Sequence, residues 1–302
     1  MATVMLSRAT LASARSRPEL DFILPGLLAG SVGLIVGQGA VGKSFLALHI
    51  GLAVATGRRV AGGLWTPGGS GRVTLVFGED QPALLQERLY WLREAERLGD
   101  DEAETIDESL TIFSGHGHDL RILAREGGRI VGGPFLPVLR ELCVGQRLVI
   151  LDPLAFLSDL DENDNSGMTR LMQVLQGVCR DTGTTIIVLH HVSKNGAGER
   201  EDWTVARGAS ALTTACRWQV NLSPPNKVER ETFGIEDAMR GFWVKVALVK
   251  TNYGQPQEPG WVHRLQGGAL GVVEMREARA ASISSRRGGR RARQEAHDDD
   301  EW

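Results

Sequence analysis

Hydrophobic positions fall into two kinds of run along this chain. Short, nearly continuous apolar stretches occupy residues 31–36, 72–77, 147–151 and 184–189, with a shorter one at 111–113. Runs of this length, bounded by glycine or polar clusters, predict strands buried on both faces. Between them, residues 45–55, 83–98, 134–143 and 167–181 carry apolar residues at helical spacing. In 83–98 the inward set is Leu84, Leu85, Leu89 and Leu92; in 167–181 it is Met168, Leu171, Met172, Leu175 and Val178. Pro82 stands where a helix would begin. Residues 209–217 are helix-like. The chain then changes character, with four strand-like runs at 218–222, 243–251, 261–265 and 270–274 and turns at Gly254 and Gly267-Gly268. Alternating strands and helices followed by strands alone predict an α/β fold, mostly a parallel twisted sheet flanked by helices, with an antiparallel C-terminal extension.

The remaining segments read as connections. Residues 21–28 lead into the first strand, with a turn at Pro25-Gly26. Residues 58–71 form a glycine-rich loop, 100–108 an acidic solvated loop, 159–164 a polar loop and 194–202 a glycine-containing loop. Residues 1–20 read as a flexible arm, 21–275 as one domain, and 276–302 as a disordered charged tail. In that tail Arg286, Arg287, Arg290, Arg291 and Arg293 precede an acidic run.

One octet carries specific chemistry. Gly37-Gln38-Gly39-Ala40-Val41-Gly42-Lys43-Ser44 fits G-x-x-x-x-G-K-[ST], between a predicted strand and a predicted helix. Glycines let backbone N–H groups turn around phosphate oxygens, and the helix N-terminus adds partial positive charge. Lys43 would reach the β- and γ-phosphates of ATP, and the Ser44 hydroxyl would hold Mg2+. Gly37, Gly39 and Gly42 also satisfy G-x-G-x-x-G, the dinucleotide fingerprint. That reading needs an acid about 20 residues on, and none occurs before Glu79.

Three further predicted strands end in polar residues: Glu79-Asp80, Asp152 and His190-His191. In an open α/β sheet, ligands sit outside the carboxyl ends of the strands. Asp152 is placed to hold Mg2+ through water, and Glu79 to orient the water that attacks the γ-phosphate. His191 is placed to sense that phosphate. A solvated acid ahead of Pro82 and a satisfied strand-end histidine are the plainer alternatives for Glu79 and His191. The Gly115-His116-Gly117-His118 tract has no accompanying ligand cluster, so a turn is expected there, not a metal site.

These motifs occur in a recognisable order. LPGLLAGSVGLIVGQGAVGKS, FGED-x-P, LVILDPLAF, DENDNSG, TGTTIIVLHHVSK, ARGASAL-x-x-x-x-RW and VKTNYG-x-P together resemble the RepA family. These are hexameric replicative helicases of broad-host-range plasmids, with a RecA-like core. The resemblance spans roughly residues 20–274. It implies a homo-hexameric ring with ATP between subunits and single-stranded DNA through the centre. Lys43, Ser44, Glu79, Asp152 and His191 take the roles just given. Arg217, in the Arg-Trp pair, resembles the arginine finger that reaches a neighbour's ATP, with Arg207 the second candidate and a structural ion pair the alternative for both. Where related helicases read Lys-x-Arg-Asn-Gly, this chain reads Lys250-Thr251-Asn252-Tyr253-Gly254, which leaves Lys250 as an auxiliary cation. The loop after the His191 strand would face the channel, with Lys194 and Arg200 on phosphates and Trp203 stacked on a base. Glu199, Glu201 and Asp202 in the same loop would oppose DNA. No primase or zinc segment is evident, so priming, like origin recognition, would fall to a separate primase and initiator protein.

Bulk properties narrow the alternatives. The chain has 302 residues, 42% hydrophobic and 24% charged, enough for a substantial core. A net charge of −3 gives no global basic footprint for nucleic acid. Cys143, Cys179 and Cys216 form no C-x-x-C and read as small core residues. No apolar run suits a membrane span and no signal peptide is evident, so a cytoplasmic protein is expected. Two functions from different classes stay open: a translocating helicase for plasmid or mobile-element replication, and a non-translocating DNA-binding ATPase acting as a replication regulator or recombination mediator. A small-molecule kinase fits least, because no lid with paired arginines is apparent.

Overall fold

A computed structural model describes residues 9–11, 14–192 and 210–276. The predicted loop at residues 194–207 and most of the predicted tail lie outside the described residues, as does much of the N-terminal arm.

The architecture is set by strands buried on both faces. The phosphate-loop strand β3 (Val32–Gln38), β4 (Val73–Phe77), β8 (Leu148–Asp152) and β9 (Thr185–Val192) are almost wholly buried. Together with β5 (Leu110–Ser114) and β10 (Trp218–Ser223) they pair in parallel, in the order β10-β3-β9-β8-β4-β5. Three antiparallel strands extend the β10 edge: β11 (Trp243–Thr251), β12 (Gly260–Arg264) and β13 (Leu270–Val273). The result is one nine-stranded sheet, parallel at its core and antiparallel at one end, as the sequence predicts.

Alternation along each strand divides the core in two. Ile35 of β3 and Ile150 of β8 pack with α1 (Lys43–Thr56), α2 (Pro82–Glu96) and α3 (Asp100–Asp107) on one face. Val36 and Leu151 pack with α4 (Phe135–Cys143), α5 (Asn165–Thr182) and α6 (Ser210–Ala215) on the other. The three cysteines are buried and free, as expected of core residues.

Several expectations need correction. Residues 100–107 are helical, not a solvated loop. Asp100, Asp101 and Glu102 sit in the first turn, where the helix dipole favours them. Arg93 pairs with Asp100 at 2.6 Å, Arg58 pairs with Glu102, and Ile106 is buried. Leu84 faces outward at 44% exposure; only Leu85 and Leu92 of the predicted stripe are fully buried. Two small hairpins and a helix add to the predicted elements. β1 (Phe22–Leu24) and β2 (Leu27–Leu28) pair across Pro25-Gly26. β6 (Leu123–Glu126) and β7 (Arg129–Gly132) pair across Gly127-Gly128, both at positive φ. Helix α7 (Lys227–Phe233) begins with a capping box, in which Asn226 and Glu229 bond each other's backbone N–H.

Buried and exposed leucines on these helices separate cleanly by measurement. Leu175→Ala on α5 removes a side chain that is 0% exposed and should cost about 2–5 kcal/mol in chemical denaturation. Leu84→Ala should stay within about 0.5 kcal/mol. Equal losses at the two positions would contradict the packing described.

Candidate active site

All the motif-bearing strands of the parallel set end at one edge of the sheet, so their terminal residues converge. β3 enters the phosphate loop and α1 begins at Lys43. Gly42 caps that helix at φ 104°, in the left-handed region that glycine adopts without strain. Ala40 is also left-handed, at φ 59°. The Lys43 side chain folds back into the loop, 3% exposed. Its ammonium donates to the carbonyls of Gly37 (2.9 Å) and Gln38 (2.8 Å) and lies 3.1 Å from His191 Nδ1. An ammonium can only donate, so Nδ1 accepts and His191 carries its proton on Nε2. Ser44 Oγ donates to Asp152 Oδ2 at 2.6 Å. The first helical turn and the end of β8 therefore present two hard oxygen donors side by side, a set that suits Mg2+.

Glu79 stands on the turn after β4, with its side chain exposed to the site. Its charge bears on Lys43, Asp152 and His191 alike, which places it in their midst. The turn is held from three sides. Gly78 N–H donates to Asp152 O at 2.7 Å, Ser114 Oγ to Asp80 O at 2.6 Å, and His116 Nδ1 lies 3.1 Å from Glu79 O. Asp80 turns inward, 8% exposed, and pairs with Arg88 of α2 at 2.7 Å.

A family model described as an AAA domain, AAA_25, matches residues 4–197, more than half of the chain. The chain belongs to this AAA domain family. Among solved structures, the ATPase domain of a helicase superposes with a TM-score of 0.52 at 13% identity, covering 81% of this chain and 85% of that one. The RadB recombinase gives a TM-score of 0.48 at 17% identity, covering 82% and 92%. The fold of this AAA domain protein is the RecA-like α/β fold, and the protein is a P-loop ATPase.

The structure groups Lys43, Ser44, Glu79, Asp152 and His191 of this AAA domain protein at one site. Arg217 lies elsewhere. It is exposed at the start of β10, whose next residue, Trp218, pairs with Gly33 at the opposite end of β3 from the phosphate loop. Five residues at about 3.3 Å each put Arg217 about 16 Å along the sheet from the level of Gly37. Asn252 N–H holds the Arg217 carbonyl at 3.1 Å. Lys250, at the same end, donates to Thr213 O (2.6 Å) and Thr214 O (3.2 Å), the last carbonyls of α6. Arg207, Lys194, Arg200 and Trp203 lie outside the described residues.

Sequence reasoning missed Arg264, at the end of β12. Its guanidinium donates to Ala40 O at the tip of the phosphate loop. Its Nε is buried without a hydrogen-bond partner among the described residues. Nothing local in the sequence links positions 224 residues apart. His116 reads in the sequence as a turn residue, and its bond to Glu79 O is the added information. Among the described residues no group of His, Cys, Asp or Glu has the arrangement of a metal cage, in line with the turn expected at 115–118. No helix among the described residues is long and apolar enough to cross a membrane.

Burial sets the electrostatics of the site. It lowers Lys43 to about 8, against the opposing pull of Asp152 and Glu79. It raises Asp152 to about 6, partly offset by the Ser44 hydrogen bond and Lys43. Burial likewise lowers His190 to about 4 and moves His191 downward, both helped by Lys43. The stability consequences follow by sign. Between about pH 4 and pH 6 the folded chain holds the Asp152 proton that the unfolded chain has lost, so stability falls as pH rises through that window. Between about pH 8 and pH 10.5 the unfolded chain holds the extra Lys43 proton, so stability rises with pH there. Asp152→Asn should therefore raise Tm at pH 7.5, on the order of 5 °C for a burial cost of about 1–3 kcal/mol. At pH 4.5 scanning calorimetry should find the gain largely gone. An equal gain at both pH values would show that charge burial is not its source.

Proposed function

We propose that this chain is an ATP-hydrolysing ring helicase acting on single-stranded DNA, of the kind that replicates plasmids or mobile elements, assembled as a hexamer of identical subunits. One observation carries the reading. The nucleotide-binding groups sit at one end of the sheet and the exposed Arg217 at the other. A residue about 16 Å along the sheet serves its own phosphate loop poorly. It serves a neighbouring copy well if subunits pack end against end around a ring.

The roles follow from position. The phosphate loop and Lys43 bind the β- and γ-phosphates of ATP. Ser44 and Asp152 would hold Mg2+, which when bound neutralises charge on those phosphate oxygens. Glu79 orients and deprotonates the attacking water, with its turn fixed by Ser114 and His116. His191 shares the Lys43 ammonium and stands at the end of β9, where it reads the γ-phosphate. Arg217 from the adjacent subunit supplies the cation for charge developing in the transition state. Single-stranded DNA occupies the ring centre, met by Lys194, Arg200 and Trp203. A separate primase and an initiator complete the partner set. A non-translocating ATPase that uses DNA only as an assembly cue is the competing reading. Strand displacement on a forked duplex with ATP decides between them, and DNA-stimulated hydrolysis without displacement would select the competitor.

Two substitutions test the assignment. Glu79→Gln should bind ATP with near-normal affinity and lose on the order of 10²-fold or more in kcat, since an amide cannot take the water's proton. Loss of nucleotide binding instead would mark Glu79 as structural. Arg217→Ala should bind ATP and assemble yet hydrolyse about 10³-fold or more slowly. Lys43→Ala should be inactive through its own site alone. Mixing the two inactive proteins should restore part of the activity, because some interfaces join an intact phosphate loop to an intact arginine. Mixed rings, verified by native mass measurement, with no restored activity would remove Arg217 from this role.

A further inference from the structure

A cleft of about 600 Å³ opens beside Gly37 and Gln38, on the sheet face that carries α5 and α6. Its floor includes Val36, Val192, Asn221, Ala247 and Val249. Lys245, Ala247 and Val249 are alternate residues of β11, so strand pleating turns all three into it. Helix α7 and the turn Asp237–Phe242 supply the other wall.

The charge lining is one-sided. Lys227, Arg230, Arg240 and Lys245 face a single acid, Glu229. That acid is already engaged: it accepts from Lys245 Nζ at 2.6 Å and closes the capping box on Asn226 N–H at 2.8 Å. The Lys245–Glu229 pair, with side chains 10% and 14% exposed, ties α7 to the sheet. Arg230 donates to Pro225 O and to Asp237, and Arg240 donates to Pro225 O. Each guanidinium has five N–H donors, so these bonds orient both arginines without exhausting them. A chain with net charge −3 concentrates four cations here, beside the end of the phosphate-loop strand and the last described residue of β9.

An aliphatic floor under a cationic rim matches a polymer of flat bases joined by phosphates. The volume falls in the range of small-molecule sites and has room for roughly one or two nucleotides. We propose that this cleft is a contact site for single-stranded nucleic acid, with phosphates on Lys227, Arg230 and Arg240 and a base over the aliphatic floor. The proposal rests on the reading of the chain as a single-strand-acting ATPase and adds to it a site on α7 and β11. Its position next to Gly37 gives strand binding a short path to the nucleotide.

The test uses the full chain and a fluorescent oligo-dT, followed by anisotropy across a salt series. Lys227 and Arg240 are both exposed and outside the nucleotide site. Lys227→Glu combined with Arg240→Glu should raise Kd at least ten-fold and flatten the slope of log K against log salt by about 1.4, two contacts at about 0.7 each. ATP hydrolysis without DNA should stay at the wild-type rate. Unchanged affinity and slope in the folded variant would overturn the cleft while leaving the functional reading intact. Absence of oligo-dT binding by the wild-type chain would instead overturn that reading, and the cleft with it. Displacement of the oligonucleotide by excess thymidine monophosphate would overturn the strand assignment in favour of a mononucleotide pocket. Should the double reversal fail to fold, Lys227→Gln and Arg240→Gln singly carry the same comparison with a smaller expected change, about 0.7 in slope each.

Discussion

A buried ammonium organises this molecule. Lys43 is withdrawn from water into the turn that precedes it, and only the carbonyls of Gly37 and Gln38, His191 and the nearby carboxylates make that position tolerable. Each partner arrives from a different strand, so the sheet order must be right before the lysine can be housed. The parallel register of β3 with β9 aligns Gly37 with His191. The register of β4 with β8 aligns Phe77 with Asp152, leaving Glu79 just beyond the strand end. The cost of hiding charge is met by topology, and the same topology assembles the nucleotide site.

The antiparallel extension has a different task. β10 runs parallel to β3, and β11 then returns to the far end of the sheet. That return brings Lys250 under α6 and Asn252 against the backbone of Arg217. β12 turns back again and delivers Arg264 to Ala40, at the tip of the phosphate loop. One meander thus supports groups at both ends of the sheet, although its strands carry none of the phosphate-loop, Walker B or sensor residues.

Much of this is legible in the sequence where physics is local. Buried parallel strands announce themselves as unbroken apolar runs, and the octet ending in Lys43-Ser44 has few alternative meanings between a strand and a helix. The first helix after Glu79 is legible from Pro82, but its buried face is not, because Leu84 and Leu85 differ only in rotation about the helix axis. The helix at 100–107 is hidden because its apolar content is Ala103 and Ile106. It is fixed largely by Arg58 and Arg93, which lie outside the segment. The hairpin over Gly127-Gly128 and the capping box Asn226–Glu229 do carry local signals. Arg264 carries none, since its relation to Ala40 exists only after β12 has paired.

One buried ring gives the site a mechanical character. His49, on the second turn of the helix that Lys43 opens, is 1% exposed. Its Nε2 accepts from the Leu270 N–H at 3.1 Å, so the proton must sit on Nδ1, which meets Glu96 Oε1 at 2.7 Å. Leu270 begins β13 and Glu96 ends the helix that follows Glu79. The helix bearing the phosphate-binding lysine, the helix behind the general base and the outermost strand of the meander are therefore riveted through a single imidazole. Any displacement of one must drag the other two, which makes this corner of the protein a lever arm that moves as one piece.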